Sequence, residues 1–179
     1  RGLGDVYKRQ TYYNRYKTAP GGRESPQTEL PAKGGVFMQV RNYMTGAAAV
    51  THPDEPVVAA ARLMRMRGIG ALPVCEDDGM LAGMLTDRDI VVRCISSGGD
   101  PGAVTVRSIM SRDPVTVEAG ADIRRAMETM RAAQVRRLPV TEGGKLAGML
   151  SIDDIARSGK WDMECAQALC GITANICRR

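Results

Sequence analysis

The sequence is poor in the residue types on which most catalytic and membrane-bound proteins depend. No stretch approaches the eighteen or so consecutive apolar residues of a membrane-crossing helix, and no basic segment followed by an apolar core stands at the N-terminus, so neither a span nor a secretory signal is read. There is one histidine, His52, before "PDEP", so Ser-His or Cys-His catalysis would have to be built around it alone. One Phe and one Trp leave few stacking surfaces for nucleic-acid bases. The five cysteines, Cys75, Cys94, Cys165, Cys170 and Cys177, are odd in number and lack CxxC spacing; neither a disulfide framework nor a zinc site is expected, and reduced thiols in a cytoplasmic protein are.

The formal charge of +5 is concentrated in front. Residues 1–37 carry seven Lys or Arg against three Asp or Glu, which leaves 18 against 17 for the rest, a near-neutral body with no reason to bind nucleic acid or a membrane surface. "DVYKRQ" (Asp5 to Gln10) resembles the translation of a sequencing adapter. Gly34 and Gly35 before Met38 read like a translated ribosome-binding sequence. Residues 1–37 are therefore expected to be a non-native, untranslated or disordered extension, and they are set aside from the fold.

What the chain does have is an internal repeat. "LAGMLTDRDI" (Leu81 to Ile90) returns as "LAGMLSIDDI" (Leu146 to Ile155), seven of ten positions identical. Upstream the offset is 66: Met44-Thr45 matches Met110-Ser111, Val57-Ala60-Ala61-Met64 matches Ile123-Ala126-Met127-Met130, and Leu72-Pro73-Val74 matches Leu138-Pro139-Val140. It becomes 65 after a one-residue deletion in the turn.

Within each copy the periodicity changes in a fixed order. "AAVT" (Ala48 to Thr51) and "PVTV" (Pro114 to Val117) predict a short strand. Val57, Ala60, Ala61 and Met64 fall on one helical face, with Asp54 as the expected N-cap and Pro56 in the first turn. "ALPV" and "LAGML" around "CEDDGM" predict a hairpin. Ile90, Val91, Cys94 and Ile95 then predict a second helix ending at Gly98-Gly99. Each copy thus reads β-α-β-β-α. A sixty-residue unit buries too little surface alone, so the expected fold class is α/β (α+β), the two repeats packed against each other. The division is 39–98 for the first repeat, 99–104 for a linker, 105–158 for the second and 159–179 for a C-terminal helix with Ala166, Leu169 and Ile172 or Ile176 as its apolar positions. The eleven methionines read as core filling.

These features in this order, occurring twice over about residues 39 to 158, resemble the tandem CBS domain, or Bateman module, and in particular small stand-alone bacterial CBS pairs. The resemblance implies a pseudo-twofold pair of CBS repeats, a regulator and not an enzyme. It implies two clefts for an adenosine compound such as AMP, ATP or S-adenosylmethionine, no required cofactor, and a disc-like homodimer or an effector protein as partner. It further implies that Thr86 contacts phosphate and Asp89 the ribose diol, with Ser151 and Asp154 matching them in the second repeat. The residues alone leave a second reading open: Ser/Thr-x-x-Asp is also a capping box. Gly83 and Gly148 would permit close approach of ligand or of helix.

The two sites are not expected to be equal. The first has Arg88 within its motif and Gly70 and Ala71 before "LPV"; the second has Asp153 at the place of Arg88 and Arg136 and Arg137 at the places of Gly70 and Ala71. Since a carboxylate beside phosphate costs binding, Asp153 makes the second site the weaker one unless Arg136 or Arg137 offsets it. Ala49 and Val50, with Val115 and Thr116, would wall the adenine. A ligand-free structural or redox-responsive scaffold working through its cysteines is the alternative.

Overall fold

The computed structural model describes residues 38–173. Residues 1–37, and Ile176 and Cys177 of the tail, lie outside the described residues.

The hairpins form where the sequence places them. In the first repeat β2 (Ala71–Cys75) and β3 (Leu81–Thr86) pair antiparallel, and in the second β6 (Arg137–Glu142) pairs with β7 (Lys145–Ser151). Each carries a register shift at the corresponding point, between Val74 and Cys75 and between Val140 and Thr141. The helices before them are α1 (Val57–Arg67) and α4 (Ile123–Ala133). Val57, Ala60 and Met64 in one, and Ile123, Ala126, Met127 and Met130 in the other, are buried, as the 3.6-residue period requires.

The cap of α1 differs from expectation. Pro56 occupies the N-cap position without a side-chain bond, and Asp54 lies too far ahead; its carboxylate is drawn instead to Arg107. In the second repeat Asp122 does cap α4, accepting from the Arg124 amide at 2.8 Å.

The short strands are also placed differently. Ala48 to Val50 form no strand, and Thr51 makes a single parallel bridge to Val74; β5 is Val117–Glu118, parallel to Val140–Thr141 of β6. Two further strands stand earlier, one in each repeat, β1 (Thr45–Gly46) and β4 (Ser111–Arg112), and they cross over. β1 pairs with β7 of the second repeat, β4 with β3 of the first. Both sheets, ordered β1-β7-β6-β5 and β2-β3-β4, therefore borrow one strand from the other repeat's sequence.

The segments just ahead of β1 and β4 make the same exchange. The 3-10 turn Val40–Asn42 has its counterpart in α3 (Val106–Ile109). Val40 N donates to Ala121 O at 2.9 Å and Ile123 N to Met38 O at 2.9 Å; the equivalent pair, Val106 N to Glu55 O and Val57 N to Val104 O, is at the same distances. Val40 is buried in the core built on α4, β6 and β7, while Val106, Ile109 and Met110 are buried in the core built on α1, β2 and β3. Gly83 and Gly148 serve this exchange. A Cβ on Gly148 would lie 2.6 Å from Thr45 O of β1, and one on Gly83 2.8 Å from Ser111 O of β4. The close approach is thus to the borrowed strand and not to a helix.

The last helix of each repeat begins at the hairpin's end: α2 (Asp87–Asp89), running on as a π-helix over Ile90–Ile95, and α5 (Ile152–Ala156). The i→i+5 bonding, visible in Ser96 N to Val91 O, widens the turn. Cys94 is consequently buried and Ile90 half-buried, while Val91 and Ile95, expected on the same face, are exposed.

The C-terminal helix α6 (Asp162–Thr173) buries Cys165, Ala168 and Ile172 in the second repeat's core together with Trp161; Ala166 and Leu169 face outward, one position off the expected stripe. Gly171 admits α6 to the flank of α4, where a Cβ would lie 2.4 Å from Arg131 Cγ.

Candidate functional site

Each hairpin ends in a polar corner. In the first repeat Ala71 stands opposite Thr86, and the Asp87 amide donates to Gly70 O at 3.0 Å; in the second Arg137 stands opposite Ser151, and the Ile152 amide donates to Arg136 O at 3.0 Å. The backbone thus sets Gly70 and Ala71 beside Thr86 and Asp87, and Arg136 and Arg137 beside Ser151 and Ile152. Arg88, Asp153, Arg136 and Arg137 are exposed.

Both capping boxes are formed. Asp89 N donates to Thr86 Oγ1 at 3.1 Å, while Asp89 Oδ2 accepts from Thr86 N at 2.9 Å and from its hydroxyl at 2.6 Å. Asp154 N donates to Ser151 Oγ at 3.1 Å, and Asp154 Oδ2 accepts from Ser151 N and Oγ at 3.0 and 2.5 Å. The other carboxylate oxygen holds an arginine one turn on: Asp89 Oδ1 lies 3.4 Å from Arg93 Nε, and Asp154 Oδ1 pairs with Arg157. Both carboxylates are recessed, with side chains 13% and 16% exposed. Such a group can exchange its hydroxyl and guanidinium partners for the vicinal hydroxyls of a sugar without being left unsatisfied.

Two hollows flank these elements. One, of about 440 Å³, is lined by Ala47, Ala48, Val50 and Thr51, by His52, Glu55, Glu76 and Asp77 at its rim, and by Leu146 to Gly148 of the second repeat. Neither Thr86 nor Asp89 reaches it. Its carboxylates oppose an anionic phosphate, and they are already engaged: Glu55 accepts from Thr51 Oγ1 at 2.6 Å, and His52 Nε2 is 3.5 Å from Asp77 Oδ1 and 3.8 Å from Glu76 Oε2. Arg107 closes this rim from the second repeat, with Nε 3.0 Å from Asp54 Oδ1 and Nη1 3.2 Å from Glu76 Oε1. The Arg107 guanidinium holds the Asp54 carboxyl below the usual carboxylate range, and the two carboxylates raise Arg107 in turn. Among the described residues no three His, Cys, Asp or Glu are grouped to hold a metal ion.

The other hollow, of about 500 Å³, contains Asp154. It is lined further by Met38, Asn42 and Tyr43 of the first repeat's lead-in and by Arg157, Ser158 and Lys160. Its cations are therefore Arg157 and Lys160, not Arg136 or Arg137, which do not line it. Sequence reasoning missed both, although Arg157 lies one helical turn beyond Asp154 and was within reach of a spacing argument. Of the expected adenine walls, Val50 lines the first hollow and Ala49 packs on the first repeat's core; Val115 and Thr116 are exposed.

A family model for the CBS domain matches residues 40–95 and again 106–160. The chain belongs to the CBS-domain family. This CBS pair is 40% identical over 117 residues to Hypoxic response protein 1 of Mycobacterium tuberculosis, covering 65% of this chain and 82% of that one. It is 34% identical over 134 residues to the CBS domain-containing protein YhcV of Bacillus subtilis, covering 75% and 94%. Among solved structures, that of Hypoxic Response Protein I with two coordinated zinc ions superposes with a TM-score of 0.63 at 39% identity, covering 66% of this chain and 97% of that one. CBSX2 in complex with AMP superposes at 0.60 and 25% identity, covering 68% and 95%. CBS pairs are regulatory modules, and the mixed α+β fold with two repeats is the one the sequence led us to expect.

The buried cysteines do not favour the redox alternative. Cys75, Cys94 and Cys165 are buried and Cys170 is exposed. Burial pushes the Cys75 and Cys165 thiols up, with Asp162 and Glu164 adding to the effect at Cys165, so both are held in the unreactive thiol form. Among the described residues no helix is long and apolar enough to cross a membrane.

Proposed function

We propose that this CBS pair is a non-catalytic, cytoplasmic regulator that binds an adenosine compound, AMP, ATP or S-adenosylmethionine, at the corners of Thr86 and Asp89 and of Ser151 and Asp154. The observation that carries this is the pair of recessed carboxylates whose side-chain partners are exchangeable, a hydroxyl on one oxygen and an arginine on the other, while a backbone amide keeps each carboxylate in place. The AMP complex of CBSX2, a relative by fold and at 25% identity, supports the choice of ligand class. In this reading a ribose diol replaces the cap hydroxyl on Asp89 or Asp154.

Since each repeat's sheet and core contain a segment of the other, a ligand that prefers one spacing of the repeats shifts the whole pair toward it by its differential affinity. The shift is read by the partner copy of a homodimer or by an effector protein. Val91, Val92 and Ile95, 58%, 51% and 50% exposed on one side of the molecule, are the apolar surface offered to a second copy.

Calorimetric titration of the chain with AMP, ATP and S-adenosylmethionine tests the reading. Heat is expected with at least one of them, weakened roughly tenfold or more when Asp89→Asn and Asp154→Asn are combined. No heat with any of the three overturns it.

A further inference from the structure

The two corners share their caps but differ one helical turn beyond them. Applying the repeat offsets to the residues around Asp154, Met38 corresponds to Val104, Asn42 to Ser108 and Tyr43 to Ile109; Arg157, Ser158 and Lys160 correspond to Val92, Arg93 and Ile95. In the second repeat this set lines the open hollow of about 500 Å³. In the first, Arg93 spans the corresponding space. Its Nε reaches Asp89 Oδ1 at 3.4 Å, and its Nη1 donates to Ile109 O at 2.7 Å, on the lead-in segment of the second repeat. Ser158, which stands at the place of Arg93, is too short to do so; its hydroxyl turns back to Ile155 O at 2.7 Å.

From this difference we infer that the corners are unequally available: Arg93 fills the first from within, and the second is the ligand site, selective for a nucleoside carrying a 5′-phosphate. This rests on the adenosine reading and narrows it. The charge around the two carboxylates agrees. The two cations on the rim of the Asp154 hollow, Arg157 and Lys160, are replaced at Asp89 by the apolar Val92 and Ile95, while Arg93, at the place of Ser158, bridges the carboxylate and a backbone carbonyl. A phosphate arriving at the Asp154 corner finds a guanidinium and an ammonium within the same hollow. As the ribose takes Asp154, Arg157 exchanges one anion for another. The sulfonium of S-adenosylmethionine meets the same two cations and is repelled.

The sequence had pointed the other way, since Asp153 set against Arg88 made the second site the weaker. Both of those side chains are exposed, and neither lines the hollow.

The test is binding stoichiometry. With AMP as the probe, one molecule is expected per chain of the unaltered protein, two for Arg93→Ser, and none for Ser158→Arg, each variant's fold checked by circular dichroism. AMP is expected to bind at least tenfold more tightly than S-adenosylmethionine, with that preference lost in Lys160→Met. Ser158→Arg alters an open hollow and keeps the test decisive should Arg93→Ser fail to fold. Two AMP per unaltered chain, undiminished binding to Ser158→Arg, or equal affinity for the two compounds overturns the inference while leaving the adenosine reading intact. Absence of heat from AMP, ATP and S-adenosylmethionine alike overturns both.

Discussion

The repeats agree where they hold the fold together and diverge where a small molecule could enter. Val40 and Val106, the two borrowed strands, the two glycines under them and the two capping boxes are matched position by position. Arg93 and Ser158, Val92 and Arg157, and Ile95 and Lys160 are not. A duplicated fold constrains both copies at the exchanged segments, because a change there damages the other repeat's core. The turn after the cap differs in how it meets the exchanged lead-in: Arg93 bonds Ile109 O, whereas Ser158 turns back to Ile155 O and leaves a hollow.

The largest test of this comparison is at Ile109, which belongs to the second repeat by sequence and to the first by packing. Ile109→Ala is expected to cost about 2–5 kcal/mol, as deletion of a buried aliphatic side chain does. Hydrogen exchange should show the lost protection in residues 71–86. Loss confined to residues 137–151 would break the exchange of cores.

A smaller effect is expected at the glycines. Gly148→Ala and Gly83→Ala each push a methyl group against backbone of the borrowed strand and should lower stability by about 1–3 kcal/mol, Gly148 the more because its contact is the shorter. Differential scanning calorimetry reads this as a fall in Tm for both; an unchanged Tm in either would mean the strand is not held there.

The smallest effect concerns Arg107, which binds Asp54 and Glu76, against its counterpart Arg41, which binds Glu142 at 3.3 Å. With Asp54 held below its ordinary value of 3.8, the folded chain binds that proton more weakly than the unfolded one. The pair's contribution is therefore complete above that ordinary value and is lost as pH falls through the lowered folded one. Thermal melts between about pH 2.5 and 6 should show a shallower acid limb for Arg107→Ala than for the unaltered chain. An identical limb would remove Asp54 from the acid sensitivity.

What could be read in the sequence was what is local. The hairpins, the helix faces of Val57-Ala60-Met64 and Ile123-Ala126-Met130, and the Thr86/Asp89 and Ser151/Asp154 pairs each lie within one short window, and the repeat itself supplied their alignment. The borrowed strands were illegible because two residues carry no period, and their partners lie more than a hundred positions away for β1. Asp54 was misread because a carboxylate two residues ahead of a proline looks like a cap until Arg107, 53 residues on, competes for it. At the candidate site the corner residues were legible from the motif. Arg157 and Lys160 were not, since their importance lies in what fails to stand opposite them, a hollow that only the packed repeats define.

The borrowed strands also bear on how the chain is made. A ribosome delivers the first repeat complete as sequence well before residue 112, yet its sheet lacks an edge until β4 emerges, and β1 must wait for β7, more than a hundred residues behind it. The first repeat's sheet and core are therefore complete once residue 112 has emerged, while the second repeat's sheet closes only when β7 returns to β1, so β1 stays without its partner until late in synthesis.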